Sequence, residues 1–412
     1  YGEVNTAAGG NNVGVLANQL ASPNSVLIDQ QGNIYVSDTD NHRIQKWSTG
    51  ANEGITVAGG NGSGSAANQL KYPAGIALDE SGNLYIADNG NHRIQKFMQG
   101  SDISSNGTTV AGTSVSGSAA NELNGPWAVL VDDSGDLYIS DQLNNRIQKW
   151  TTDAASGTTV AGGNGIGVSA IQLDNPSSIV FDESGALYVV DKNNHRIQKF
   201  VANSTSTPQA STVAGGLGSG SATNQLNTPI GIVIDKKGSL YISEMGNHRI
   251  QKWKNGATQG TNVLGRDGFG ETNDKLNNPY GLGLDQAGDL YIADKSNNRI
   301  QKLTLAPIIK IAPNASSANI SLTIPQTAGI RKSLILTPTS LKGLLADLNP
   351  IEILINHPIA PALSFNLSSN EVMPGSSVTM DLNLSQSYLD PISVLFRNYS
   401  TLSANDFTFD DK

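Results

Sequence analysis

One phrase of 25 residues is written six times in this chain, and nothing else constrains its fold so tightly. The copies start at Pro23 (PNSVLIDQQGNIYVSDTDNHRIQKW), Pro73 (PAGIALDESGNLYIADNGNHRIQKF), Pro126 (PWAVLVDDSGDLYISDQLNNRIQKW), Pro176, Pro229 and Pro279. Successive prolines are 50, 53, 50, 53 and 50 residues apart. A period of this length belongs to a solenoid, a propeller or an array.

Each copy reads as three strands. In the second, Gly75–Leu78 is apolar, Asp79–Asn83 has turn chemistry, and Leu84–Asp88 is a second strand. Asn89–His92 turns again into Arg93–Phe97, which alternates with period two. A further phrase supplies a fourth strand: TVAGG from Thr56, Thr159 and Thr212, TVAG from Thr109 and NVLG from Asn262. A Gly/Ser-rich loop ending in Gln-Leu or a similar pair follows it. Four antiparallel strands repeated six times predict an all-β, six-bladed propeller over residues 1–305. The sixth copy ends at Leu303 without a TVAGG phrase, whereas Asn5–Gly10 (NTAAGG) supplies one at the other end. The N-terminal strand is therefore expected to complete the last blade and remove two open edges.

The third strand ends in Trp47, Phe97, Trp150, Phe200, Trp253 and Leu303, so tryptophan alternates with another residue. The connection that follows alternates as well: Val57 lies ten positions after Trp47, and Val110 thirteen after Phe97. The unit of duplication reads as a pair of blades.

The pattern P-x-G-I-x-x-D-x-x-G-x-L-Y-I-A-D-x-x-N-H-R-I-Q-K-F resembles the NHL repeat. Ser25, Ala128 and Ser178 replace the first-strand Gly, Glu244 replaces an Asp, and Asn145 and Asn298 replace His. The resemblance implies a six-bladed propeller. It also brings three kinds of relative to weigh: an amidating lyase with a channel metal, RNA-binding regulators, and sensor domains. The lyase reading needs a blade that breaks the repeat with inward His, Tyr or Asp, and no copy is expected to do so. The RNA reading needs a basic face. Of 26 Lys and Arg, twelve are the repeat Arg-x-x-Lys pairs, and the formal net charge is -9, so nucleic acid is not an expected partner.

The repeated polar residues read as scaffold. Asp38, Asp88, Asp141, Asp191, Glu244 and Asp294 each precede Arg43, Arg93, Arg146, Arg196, Arg249 and Arg299 by five residues. Such a carboxylate and guanidinium can pair across the connecting turn. The competing reading is a charged binding ring. His42, His92, His195 and His248 share one turn position, too far apart around a ring to hold a common ion; His357 stands alone before Pro358. Asp29, Asp79, Asp132, Asp182, Asp235 and Asp285 give one carboxylate per blade, too few oxygens for calcium. No catalytic residue, metal or cofactor is expected. Ile76, Val129 and Ile232 are candidate channel-facing residues with the character of packing.

After Leu305 the glycines thin out. Residues 306–412 are expected to form a C-terminal β-sandwich-like domain, with alternation best seen at Val378–Leu384. Leu341–Asp347 reads as a short helical turn. Pro374–Met380, Pro391–Val394 and Ala404–Thr408 resemble a Calx-β module that stops short of its last strands. An unpaired edge there suggests strand addition between subunits. Sequons at Asn314, Asn319, Asn366, Asn383 and Asn398 are candidate glycosylation sites. There is no cysteine and no apolar run long enough to cross a bilayer. The chain opens at Tyr1 without a leader pattern, and an export signal is expected to lie outside this sequence. The reading is a non-enzymatic, extracellular or cell-surface structural protein that self-associates through its C-terminal β region, possible fibre included. The alternative is a ligand-binding or sensor propeller using its channel mouth, followed by a lyase of the amidating type.

Overall fold

The computed structural model describes residues 3–201, 210–265 and 268–305, together with nine strands beyond them. The first part is a six-bladed β-propeller. Each blade is a four-stranded antiparallel sheet, and in five of the six the strands follow one another in sequence. In the first blade they are Pro23–Ile28, Ile34–Asp38, Arg43–Trp47 and Ile55–Gly59. The second runs from Pro73–Leu78 to Thr108–Ala111, and the remaining blades repeat the plan. The sixth is assembled from both parts of the chain: Val4–Gly9 pairs with Arg299–Leu303, which continues through Leu290–Asp294 to Pro279–Leu284. Val4 faces Leu303 and Gly9 faces Arg299 across this seam.

The core lies between blades. One cluster joins Tyr35, Ile44 and Val57 of the first blade to Ile76, Ile86 and Phe97 of the second. Another joins Ala77, Tyr85 and Ile94 of the second to Val129, Ile139 and Trp150 of the third. Across the seam, Ala8, Tyr291 and Ile300 meet Val26, Val36 and Trp47. Alternation with period two gives every central strand two apolar faces, one for each neighbouring blade. Ile76, Val129 and Ile232 belong to these cores, at 7%, 2% and 3% exposure, while their strands border the channel.

The interblade loops end in Leu20, Leu70, Leu123, Leu173, Leu226 and Leu276, all fully buried. Each seat is cut close. At Gly59, where φ is +67°, a Cβ would stand 2.5 Å from the His42 carbonyl oxygen and 2.9 Å from Leu70. This explains the first glycine of the TVAGG phrase, since only glycine combines that backbone with that clearance.

Contact grouping separates Val4–Gln286 with Leu290–Leu303 from a second unit that takes in the chain from Thr304 onward and Ala287–Asp289. In the second unit the strands fall into two sheets. One orders Ile308–Ile311, Ile392–Asn398, Ile351–Asn356, Ser340–Gly343 and Leu334–Thr337. The other orders Leu363–Leu367, Ser377–Leu384, Ser317–Thr323 and Phe407–Asp410. Residues 341–343, expected in a helical turn, lie in a strand instead. Asn314 and His357 fall outside the described residues. So do the side chains of Asn319, Asn366, Asn383 and Asn398. Among the described residues no helix is long and apolar enough to cross a membrane.

Candidate functional site

All six acid–arginine pairs form. Arg Nε lies 2.6–2.8 Å from the carboxylate of Asp38, Asp88, Asp141, Asp191, Glu244 and Asp294. The carboxylate ends one strand and the arginine begins the next. The tight turn between them brings the two together, and the acid side chains are 0% exposed. The pairs do more than bridge a turn. In the second blade one Asp88 oxygen accepts the Lys71 N–H at 2.7 Å, and the other accepts Asn91 Nδ2 and Arg93 Nε at 2.8 Å each. The rest of the guanidinium donates to the carbonyls of Ser65, Ala66 and Gln69. Acid, Asn and Arg thus clamp the loop arriving from the previous blade. Burial pushes each carboxyl above its ordinary range, against the pull of these donors.

The histidine position works between blades. His42, His92, His195 and His248 sit in the left-handed region, with φ between 52° and 54°. Their Nδ1 atoms accept the N–H groups of Tyr72, Gly125, Thr228 and Asn278, at 3.0–3.2 Å, in the loop leading to the next blade. Asn145 and Asn298 hold the same backbone conformation, and their Oδ1 atoms accept from Asn175 and Ser22 at 2.8 and 2.9 Å. Histidine and asparagine interchange because both offer an acceptor at that reach and both tolerate the left-handed region. The last of these bonds, Ser22 to Asn298, crosses the seam.

An acceptor nitrogen cannot carry a proton, so this staple is pH-sensitive. Burial holds His92, His195 and His248 below the usual imidazole range. The native ring then binds fewer protons than the unfolded chain, and stability rises with pH through this window. The contribution is complete above the unfolded value near 6.5 and is lost as the pH falls toward the lowered native one. The wild-type melting temperature is expected to drop between about pH 7.5 and about pH 5.5. A His92→Asn/His195→Asn/His248→Asn variant should show a smaller drop. Comparing the two proteins cancels the carboxylates, and parallel curves would remove the histidines from this account.

At the opposite ends of the strands, Asp79, Asp182, Asp235 and Asp285 lie within 2.9–3.6 Å of the repeat lysines Lys96, Lys199, Lys252 and Lys302. These ammonium groups also sit 4.7–4.9 Å from the Tyr85, Tyr188, Tyr241 and Tyr291 ring centres. Among the described residues no group of three or more metal-ligating side chains converges.

The channel is lined by the six inner strands and encloses a cavity of about 230 Å³. Its walls are apolar or small: Leu27, Leu130, Val180, Val233 and Gly283 are typical, and no titratable residue lines it. The variety lies at the mouth where the inner strands begin. The residue after each inner-strand proline is Asn24, Ala74, Trp127, Ser177, Ile230 or Tyr280. The residue after each clamp acid is Thr39, Asn89, Gln142, Lys192, Met245 or Lys295. Trp127 and Tyr280 come from opposite blades, the third and the sixth, and their ring centres are 6.0 Å apart. Lys295 Nζ stands 4.1 Å from the Tyr280 ring centre and donates to Asn24 Oδ1 at 2.8 Å. Burial lowers the Lys192 and Lys295 ammonium groups from their ordinary range and raises the Tyr280 hydroxyl. These are two columns in which otherwise matching copies diverge: the first never repeats a residue, and the second repeats only lysine.

The NHL repeat model matches residues 20–47, 70–97, 173–200, 226–253 and 276–303. The copy carrying Trp127 and Asn145 is outside these matches. They lie within the propeller and give no support to the Calx-β likeness of the C-terminal region. No curated protein matches the chain by sequence. Among solved structures, a Bacteroides thetaiotaomicron protein of unknown function is 16% identical, with 73% of this chain and 74% of that one covered and a TM-score of 0.56. An auxiliary nutrient binding protein from the same organism is 16% identical over 73% and 75% of the two chains, with a TM-score of 0.56. A gluconolactonase from Xanthomonas campestris is 16% identical over 70% and 86%, with a TM-score of 0.52. These likenesses establish the fold.

Proposed function

We propose, on the premise that this chain carries NHL repeats closed into a six-bladed ring, that it is a non-catalytic association module. The observation that carries this reading is where the ring exposes large apolar side chains. Val13, Val15, Leu16, Val115, Ile166, Val168, Leu217 and Phe269 are each 62–73% exposed. All lie in the loops that join one blade's outer strand to the next blade's inner strand, and those loops are otherwise Gly-, Ser- and Asn-rich. Single exposed apolar residues are ordinary, but a set repeated around one ring supports a docking face. A rigid body pinned at every loop by a buried clamp loses little conformational entropy on docking.

The first partner to test is a second copy of the chain. Growth into a fibre, with C-terminal edge strands such as Phe407–Asp410 completing a neighbour's sheet, is the finer form of the same proposal. An extracellular or cell-surface setting and glycosylation of the C-terminal sequons belong with it. A Val15→Ser/Val168→Ser/Phe269→Ser variant should sediment more slowly than the wild type at about 50 μM, with an unchanged melting temperature, given micromolar self-association. A wild type that sediments as a monomer across that range removes self-association. Electron micrographs of the concentrated wild type then decide between closed oligomers and fibres.

A further inference from the structure

The strand that closes the ring brings less to its blade than the other five outer strands do. Every outer strand is bulged against the third strand of its sheet. The bulged residue is Val57, Val110, Val160, Val213 or Val263 in five blades and Ala7 in the closing strand. Ala7 therefore gives the seam core two methyl groups fewer. Thr56, Thr109 and Thr212 also donate from Oγ1 to the amide oxygens of Gln45, Gln95 and Gln198, at 2.8–3.1 Å. Thr6 faces Gln301 without such a bond. The other outer strands directly follow their pairing partner along the chain, whereas Val4–Gly9 reaches Arg299–Leu303 by non-covalent contact alone. It can leave without opening another blade. The pivot is short: Gly9 and Gly10 both have positive φ, a region glycine enters freely. From Asn11 onward the chain is fixed to the first blade's loop. Asn11 Nδ2 donates to the Asn18 carbonyl at 3.1 Å, and the Asn11 carbonyl accepts Gln19 Nε2 at 2.9 Å. Departure of the strand spares the Ser22–Asn298 bond and the packing of Val26, Val36 and Trp47 against Tyr291. It uncovers the edge of Arg299–Leu303, and the sequence that fits this edge is Val4–Gly9.

We propose that copies of this chain exchange their Val4–Gly9 strands, each strand completing the last blade of another copy. The proposal rests on the association reading for its partner, a second copy, and supplies the contact that makes the pair long-lived. An exchanged pair keeps the blade bonds of the closed ring and gives up native contacts only at the pivot. The exposed Val13, Val15 and Leu16 lie three to six residues beyond Gly10, so the docking face adjoins the pivot. Reciprocal exchange closes a dimer, and a strand passed to a third copy extends a fibre.

The chain has no cysteine, so an introduced disulfide marks where the strand lies. Asn5 and Lys302 are register partners across the seam. A full-length Asn5→Cys/Lys302→Cys variant is held reduced at about 1 μM or about 100 μM, then oxidised and separated under denaturing, non-reducing conditions. A closed ring gives a monomer with an internal bond. Exchange gives covalent dimers and larger species, at least about tenfold more abundant at the higher concentration. Either substitution alone should give far less dimer. Adding Ala7→Val should slow the appearance of these species about tenfold, because it stabilises closed and exchanged forms alike and penalises only the open strand. If the cysteine variant melts early, the wild type serves: its pairs should persist for hours after dilution from about 100 μM to about 1 μM. Internal bonds alone at both concentrations, equal dimer from the single variants, or prompt dissociation of the diluted wild type overturns the exchange. The Val15→Ser/Val168→Ser/Phe269→Ser changes in the same background separate the two readings. Covalent dimers that survive them support exchange and sink the docking face. A wild type that associates while the cysteine variant forms only internal bonds keeps the docking face and sinks exchange.

Discussion

Asp88→Ala should cost the propeller about 3–5 kcal/mol, the largest effect expected of a single substitution. The carboxylate is fully buried and accepts from three groups at once: the Lys71 N–H, Asn91 Nδ2 and Arg93 Nε. Alanine leaves all three without that acceptor and strands a guanidinium whose remaining bonds all go to the loop before the blade. The loop carries Leu70, so the damage should spread into the core shared with the first blade. Arg93→Met is expected to be costly alone. Combined with Asp88→Ala, it should cost less than the sum, because no charge is then buried alone. Denaturant unfolding of the four proteins measures this. A loss below about 1 kcal/mol for Asp88→Ala would mean that the clamp is incidental.

Removing residues 1–10 should be more damaging still. It takes away the strand Val4–Gly9 and its pairing with Arg299–Leu303. It also removes the buried Ala8 from the seam core and the bond from the Gly10 N–H to the Asn298 carbonyl. The third strand of the last blade becomes an open edge beside an uncovered apolar face, which invites pairing with other chains. We expect the truncated protein to lose its cooperative thermal transition and to aggregate. Adding the ten-residue peptide in excess should restore part of the transition, since it binds only the native ring. A truncated ring that melts within about 2 °C of the wild type would show that the seam contributes little.

The blades were legible because their period is carried by residues with single-valued roles. Proline opens the inner strand, Asp-x-x-Gly makes a turn, and Arg-Ile-Gln-Lys alternates two faces. Strand closure was legible for a similar reason: one phrase is missing after Leu303 and present at Asn5–Gly10. The reach of each clamp was not. Asp38 and Arg43 are five residues apart, so their pairing follows from a turn, but their bonds to Ala21, Leu16 and Gln19 follow from how blades stack. Histidine showed its turn position and hid its partner, because the donating N–H is about 30 residues away, in the next blade's loop. The mouth was missed for the opposite reason. Trp127, Tyr280, Lys192 and Lys295 stand in columns without a consensus, and regularity drew attention away from them. The carboxylate ring that attracted a functional reading is buried, whereas the residues reaching the mouth are those that no repeat predicts.

The seam also determines how the ring answers a mechanical load. The chain enters at Val4 and leaves at Leu303, which are partners at the same end of one antiparallel pair. The Thr304 N–H already bonds the Glu3 carbonyl there, at 2.9 Å. Tension applied through the two ends therefore does not shear the blades against one another. It pulls on a zipper, loading the Val4–Leu303 bonds first and the Gly9–Arg299 bonds last. A propeller placed in line with a stretched chain should therefore yield at low force by peeling this one strand. The other five blades, with no free end of their own, should stay folded until it has gone.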